Sequence, residues 1–309
     1  RQLPPPRQFT SEWTLGEPDL VLSYPEPYTP PAAGDVYRCF PLRTQADEER
    51  FVSAIDVRPG DRGSVHHVIA FIDTTGASDA LDAADPAPGY SCFGDPGFPL
   101  SLDASTLGGW APGYRAVAFP EQIGLGLPAD SRIVLQVHYH VHGGHAHPDR
   151  TELGVYFARV RPQQRLRILP LINDTFEIPA GDPHHRVTAT FNNALFSARL
   201  WAIAPHMHLL GRSMKVEAFD ITGNSTCLIN IDDWDFNWQA LYRYEQPVPI
   251  PAFSTVVLTA YYDNSSANPR NPNNPPKPVR WGEATTDEMC IAFLAVTIDG
   301  DFLSGATAP

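Results

Sequence analysis

Two histidine pairs and one distant methionine are the residues of this chain best suited to chemistry. His66-His67 stands in the run Ser-Val-His-His-Val-Ile-Ala-Phe, and His206-x-His208 in Ala-Pro-His-Met-His-Leu-Leu-Gly-Arg. Between them lies Leu-Gln-Val-His138-Tyr, and far downstream Thr-Asp-Glu-Met289-Cys. Imidazole suits both oxidation states of copper, whereas a thioether is a soft donor that favours Cu(I). These residues suffice for two metal sites, one all-imidazole and one imidazole-plus-thioether. Such a pair is suited to moving electrons through copper.

Spacing decides what each pair can do. A period of two residues puts His206 and His208 on one face of a strand, where they can chelate without distortion. Adjacent His66 and His67 would face opposite sides, so one metal reaches both only if the backbone twists or bulges there. His138 ends a strand that alternates Leu135, Val137 and Tyr139 against Gln136 and His138, and it is assigned as the third ligand of the first site. Met289 would supply the third donor of the second site from a distant strand. Met207 and Met214 compete, but Met207 alternates away from the two histidines and a core role suits Met214. The glycine-rich tract with His140, His142, His145 and His147 reads as an exposed loop, His140 alone sharing the face of His138. His184-His185 lies in a turn set by Gly181-Asp-Pro183 and reads as unrelated to metal.

The elements that must position these residues read as strands. Proline is abundant (32 residues), long helical periodicity is absent, and the apolar runs are short and alternating or β-branched. Strands are expected over 65–72, 132–139, 153–160, 187–191, 200–203, 214–221, 255–262 and 291–298, with a helical turn only at 44–51. A chain of 309 residues suggests about two domains. The polar segment 161–167 divides it into 1–160 and 161–309, each with one histidine pair. Segment 264–278 reads as a long surface loop.

Bulk composition narrows the function. Hydrophobic residues make up 43% and charged residues 18%, enough for a sizeable core. The formal charge of −13, with no Lys/Arg run, argues against nucleic acid or an anionic membrane surface as the main partner. No stretch approaches the ~20 apolar residues of a membrane span. The chain opens on Arg1, which reads as a processed mature form. Four cysteines form an even set with three possible pairings, which tilts the reading towards an oxidising compartment: secreted, periplasmic or the secretory-pathway lumen. Asn173, Asn224 and Asn264 fit the glycosylation acceptor pattern.

Taken in order, the motifs resemble the copper type II, ascorbate-dependent monooxygenases, which include peptidylglycine alpha-hydroxylating and dopamine beta-monooxygenases. The likeness rests on Tyr37-Arg-Cys39, Val65-His-His-Val68, Trp110-Ala-Pro, Leu135-Gln-Val-His138-Tyr139, His206-Met-His208-Leu-Leu-Gly211, Asp235-Phe-Asn-Trp-Gln239, Tyr262-Asp-Asn-Ser265 and Asp287-Glu-Met-Cys290. It implies an all-β chain of two tandem antiparallel jelly-roll-like sandwiches, each with one copper, facing a solvent-filled interdomain cleft. By the same resemblance His66, His67 and His138 hold an electron-transfer copper, with Tyr37 and Gln136 close behind it. His206, His208 and Met289 hold the copper that binds O2. Ascorbate would reduce both coppers, and oxygen would enter a C–H bond of a small-molecule substrate. The resemblance also implies a Cys39–Cys92 bridge. Cys290 follows the ligand Met as in the family, but the usual partner strand carries Ala260-Tyr-Tyr262, so Cys227 is taken as its partner.

Departures from the family pattern bear on substrate. Val68 stands where the animal enzymes carry Met. The peptide-anchoring Arg, Asn and Tyr of the peptidylglycine enzymes are replaced by Ala204, Ile291 and Phe293. Nothing at these positions pairs with a peptide carboxylate, so the expected substrate is apolar or aromatic with an activated C–H bond. A non-catalytic copper carrier and a zinc hydrolase on the three histidines are the competing readings, the latter disfavoured by a thioether ligand.

Overall fold

In the computed structural model, residues 13–141, 146–193 and 196–304 are described. His142 and His145 lie outside them. The short apolar runs become 19 strands and one helix among the described residues. The first half holds β1 (Leu20–Ser23), β2 (Gly34–Arg43), β3 (Arg50–Arg58), β4 (Val65–Asp73), α1 (Ala77–Ala84), β5 (Tyr90–Ser91), β6 (Thr106–Trp110), β7 (Ile123–Leu127), β8 (Arg132–Val141) and β9 (Glu152–Phe157). After it come β10 (Gln164–Ile172), β11 (Glu177–Ile178), β12 (His185–Asn193), β13 (Ala198–His206) and β14 (Gly211–Phe219). The chain finishes with β15 (Ser225–Ile231), β16 (Tyr242–Ile250), β17 (Ser254–Tyr262), β18 (Val279–Arg280) and β19 (Ile291–Ile298).

One sheet of eight strands, ordered β1-β9-β3-β7-β10-β19-β13-β16, runs through both halves. The segment after residue 160 does not hang free. It enters β10, whose first residues pair in parallel with β7, Gln164 opposite Ile123 and Leu166 opposite Leu125. Against the first four strands packs a five-stranded sheet, β5-β2-β8-β4-β6, and against the last four a four-stranded sheet, β12-β17-β14-β15. Each pair of layers encloses its own core. Phe40, Ile55, Ile72, Ile123, Leu135 and Leu153 belong to the first, and Val187, Met214, Val216, Leu258, Tyr262 and Leu294 to the second. Trp201, Ala202 and Ala295 join the first core from the second half, so the two packing units are continuous.

The helix differs from expectation. Residues 44–51 do not form a helical turn: Gln45 has φ +53°, and Arg50 and buried Phe51 already belong to β3. The helix is α1 instead. The Asp73 carboxylate starts it by accepting the backbone N–H groups of Thr75 (2.7 Å), Gly76 (3.1 Å) and Ser78 (2.8 Å).

Cys39 and Cys92 form a disulfide, as the family resemblance implies. The expected Cys227–Cys290 bridge does not form. Cys227 is exposed on the edge strand β15, while Cys290 is buried at the start of β19, in the opposite layer. Along β15 the side chain of Leu228 enters the core, which turns its neighbour Cys227 to solvent. The acceptor pattern at Asn264 is buried, its amide donating to the carbonyls of Ile178, Pro179 and Lys277.

Candidate metal centre

The first group depends on a defect in a strand. In the β4–β8 ladder Val65 pairs with Tyr139 and His67 with His138, so His66 is an extra residue and the ladder bulges there. A bulge sets two residues against one and re-aims their side chains. It removes the alternation that would send adjacent histidines to opposite faces. Nδ1 of His66 lies 3.3 Å from Nδ1 of His67, which lies 3.4 Å from Nδ1 of His138. Ring nitrogens of all three residues fall within 4.8 Å of one another, and one ion could be held between them.

Side chains from β2 fix the third ring. Nε2–H of His138 donates to Asp35 Oδ1 at 2.8 Å, leaving the Nδ1 lone pair facing its neighbours. A carboxylate behind an imidazole sets tautomer and orientation and raises basicity. Burial opposes the charge of Asp35, but hydrogen bonds from His138 and His140 outweigh it and hold the carboxyl well below the usual range. Tyr37 stacks on His138 with centroids 4.1 Å apart and 10° between planes. Gln136 is buried two residues before His138, and its amide donates to the Cys92 carbonyl at 3.1 Å. It therefore ties the disulfide to the strand that carries His138.

The second group sits where β13 ends. His206 is the last residue of that strand and His208 lies just beyond. Nδ1–H of His206 donates to Gln239 Oε1 at 2.5 Å, and Nδ1–H of His208 to the Asp287 carbonyl at 3.1 Å. Gln239 in turn donates its amide N–H to the Phe236 carbonyl (2.9 Å), which fixes its oxygen towards His206. With both Nδ1 atoms occupied, the free lone pairs are on Nε2. Met207 and Met214 are in the second core, away from this role.

Register brings the predicted third donor close. In the β13–β19 ladder Ala204 pairs with Phe293 and His206 with Ile291. Directly opposed residues share a face, and just beyond the ladder the backbone N–H groups of His208 and Met289 meet at the same Glu288 oxygen. The buried Glu288 carboxylate closes this corner by accepting the backbone N–H groups of His208, Leu210 (2.9 Å) and Met289 (2.8 Å). Burial pushes Glu288 up to about 8, against these donors.

The two groups adjoin. Ring centroids of His67 and His206 are 6.4 Å apart, so no wide gap separates them at this point. Phe236 stacks on His66 at 5.2 Å and meets His208 edge-on at 5.9 Å. Burial is the main cause that lowers every one of these imidazoles: His66 to about 3, His206 to about 4, His67 and His208 well below the usual value, and His138 less far. All five are therefore neutral at pH 7 and able to offer a lone pair to a metal. Elsewhere His184 stacks on Tyr261 at 4.4 Å and His185 Nδ1 meets Asp182 at 3.0 Å, both away from the centre.

Residues 166–296 match the family model described as copper type II ascorbate-dependent monooxygenase, C-terminal domain, a span that holds His206, His208 and Met289. Over that span the chain is similar to the copper type II ascorbate-dependent monooxygenase family. It is similar to DBH-like monooxygenase protein 1 of Mus musculus, 24% identical over 297 residues, covering 85% of this chain and 44% of that protein. The Homo sapiens protein of the same name is 23% identical over 265 residues, covering 77% of this chain and 40% of that protein. The chain thus spans less than half the length of the curated relatives it matches. Among solved structures, the infectious bursal disease virus VP2 subviral particle aligns with TM-score 0.27 and 13% identity, over 94% of this chain and 75% of that chain. So loose a superposition carries no argument.

Family motifs supplied most of the centre, but Asp35, Phe236, Gln239 and Glu288 were not singled out. Phe236, Gln239 and Glu288 all stand inside family motifs. Asp35 shares a strand face with Tyr37 two residues on, but only the β2–β8 pairing ties that face to His138.

Proposed function

We propose that this chain is a copper monooxygenase that hydroxylates an activated C–H bond of a small apolar or aromatic substrate, using O2 and an ascorbate-type reductant. His66, His67 and His138 would hold the electron-transfer copper through Nδ1. His206 and His208 through Nε2, with Met289, would hold the copper that meets O2. Bound copper would supply one-electron transfer and oxygen activation. In this reading residues 1–160 and 161–309 are two sandwich domains with one copper each, and the disulfide Cys39–Cys92 suits a secretory or periplasmic setting.

One observation carries the reading. Ala204 pairs with Phe293 and His206 with Ile291, and Glu288 accepts the backbone N–H groups of both His208 and Met289, an arrangement that would combine metal donors and apolar surface in one corner. The donor set fits copper: neutral imidazoles and a thioether favour it over hard cations. Ala204, Ile291 and Phe293 would exclude water beside the metal and offer nothing to pair with a carboxylate. That favours an apolar substrate over a glycine-extended peptide. Asp35 and Gln239 keep His138 and His206 in the tautomers that coordination needs.

Copper stoichiometry under reducing conditions tests this, comparing wild type with Met289→Ala. Two coppers per chain, with one Cu(I) site weakened by the substitution and ascorbate-driven oxygen uptake coupled to a product, is the expected result. Copper binding indifferent to Met289, or no product with any apolar substrate, would leave a non-catalytic copper carrier.

A further inference from the structure

Two neighbouring side chains of β2 each touch both halves of the metal centre. Asp35 and Tyr37 lie two residues apart and share a strand face. Each meets His138: Asp35 through Nε2–H at 2.8 Å, Tyr37 by stacking at 4.1 Å. Each also bonds to the segment that runs into Met289. Tyr37 donates its hydroxyl to the Glu283 carbonyl at 2.5 Å. Asp35 Oδ1 accepts the Thr285 hydroxyl at 3.2 Å, and Oδ2 accepts the Thr285 backbone N–H at 3.3 Å.

The segment is braced by its own hydrogen bonds. Asp287 N–H donates to the Ala284 carbonyl (2.8 Å), and Glu288 N–H to the Arg280 carbonyl (3.1 Å). Ala284 N–H also donates to Asp287 Oδ2 (3.3 Å). Whatever fixes Glu283 and Thr285 therefore fixes the start of the run into Met289. The same segment supplies the Asp287 carbonyl behind His208.

We propose that Asp35 and Tyr37 form a clasp that fixes the His138 ring and the 283–289 segment relative to each other, so that the donors of both sites are positioned as one unit. Both are positioning residues. The clasp itself stands on hydrogen bonds between side chains and backbone. Only its consequence for copper rests on the monooxygenase reading.

The test uses the full chain, first without metal. Tyr37→Phe keeps the ring on His138 and removes only the hydroxyl. Thr285→Val keeps the side-chain shape and touches no histidine. Hydrogen exchange of the 283–289 amides, read by mass spectrometry, should quicken about fivefold for each hydrogen bond removed and most in the double variant, with β2 and β8 unchanged. Asp35→Asn should show the same quickening and also shift the imidazole nitrogen resonances of His138, which the other two leave in place. Exchange in 283–289 equal to wild type in the double variant would overturn the clasp. So would quickening spread evenly over β2 and β8, which means general loosening.

Copper then separates the two readings. In the loaded chain Tyr37→Phe with Thr285→Val should weaken Cu(I) at the Met289 site, although neither residue belongs to that donor set. Local exchange that responds in a wild-type background binding no copper supports the clasp and sinks the monooxygenase reading. Two coppers bound, with local exchange unresponsive, does the reverse.

Discussion

In the first group the imidazoles come from hydrogen-bonded strands of one sheet, a bulge brings two of them to one side, and a carboxylate backs the third. In the second group the two histidines stand at the end of β13, backed by the neutral amide of Gln239 and the carbonyl of Asp287. An anionic group behind an imidazole strengthens its donation and favours the more highly charged metal state. Neutral backing with a thioether favours the lower one. The contrast lies less in the first ring of atoms than in what stands behind it. It would suit the proposed division, in which one site cycles electrons and the other rests as Cu(I).

Deleting one donor from each group should break the comparison most visibly. His67→Ala should leave one copper per chain, held at the second group, and His206→Ala one copper held at the first. X-ray absorption distinguishes them, since sulfur scattering from Met289 survives only in the first variant. Loss of both coppers in either variant would mean a single shared site.

Next in size is the disulfide, which staples only the first half. Cys39→Ser opens a link between residues 53 apart in sequence and should cost about 4 kcal/mol in loop-closure entropy. Cys227→Ser, at an exposed free thiol, should change stability by no more than ~0.5 kcal/mol. Urea unfolding of the two variants measures both. An equal loss would show that Cys227 has a partner after all.

These contrasts also mark where sequence reading stops. The strands at 65–72, 132–139, 255–262 and 291–298 were legible because each shows a strong local pattern, and all are observed to within a residue or two. The family motifs named the imidazoles that converge. Asp35 behind His138 was not legible, because β2 and β8 are far apart in sequence and only their pairing brings the two residues together. One metal reaches both His66 and His67 only through the bulge between Val65 and His67, and no residue type there demands it. The second disulfide failed for a related reason: a count of cysteines is blind to which face of β15 Cys227 occupies.

Exchanging the backing groups sharpens the comparison. Asp35→Asn should lower Cu(II) affinity of the first group by about 10–100-fold and make its copper easier to reduce. Gln239→Glu places a carboxylate behind His206 and should make the second copper harder to reduce. Anaerobic redox titration followed by electron paramagnetic resonance reads each shift. Both shifts in the same direction would show that the backing charge does not separate the sites.

The smallest effect is set by acid in the metal-free protein. Burial lowers His66 to about 3 and His206 to about 4; the neighbouring imidazoles add to the first shift, and the Gln239 hydrogen bond opposes the second. Both folded values lie below the unfolded value of about 6.5. Between them the unfolded chain binds a proton that the folded chain refuses, so stability falls as pH falls below 6.5. The loss is about 1.4 kcal/mol per pH unit for each ring. Urea unfolding at pH 7.5 and 5.5 should therefore show a smaller fall in His66→Gln and in His206→Gln, by about 1 kcal/mol each. Below pH 4 the two should part, because His206 then binds its proton in the folded state and stops contributing, while His66 contributes down to about 3. If His66→Gln leaves the fall unchanged, burial among the other rings is not what keeps that imidazole free for a metal. The Asp35 carboxylate could not stand in for burial, since it favours the protonated form of both His66 and His138.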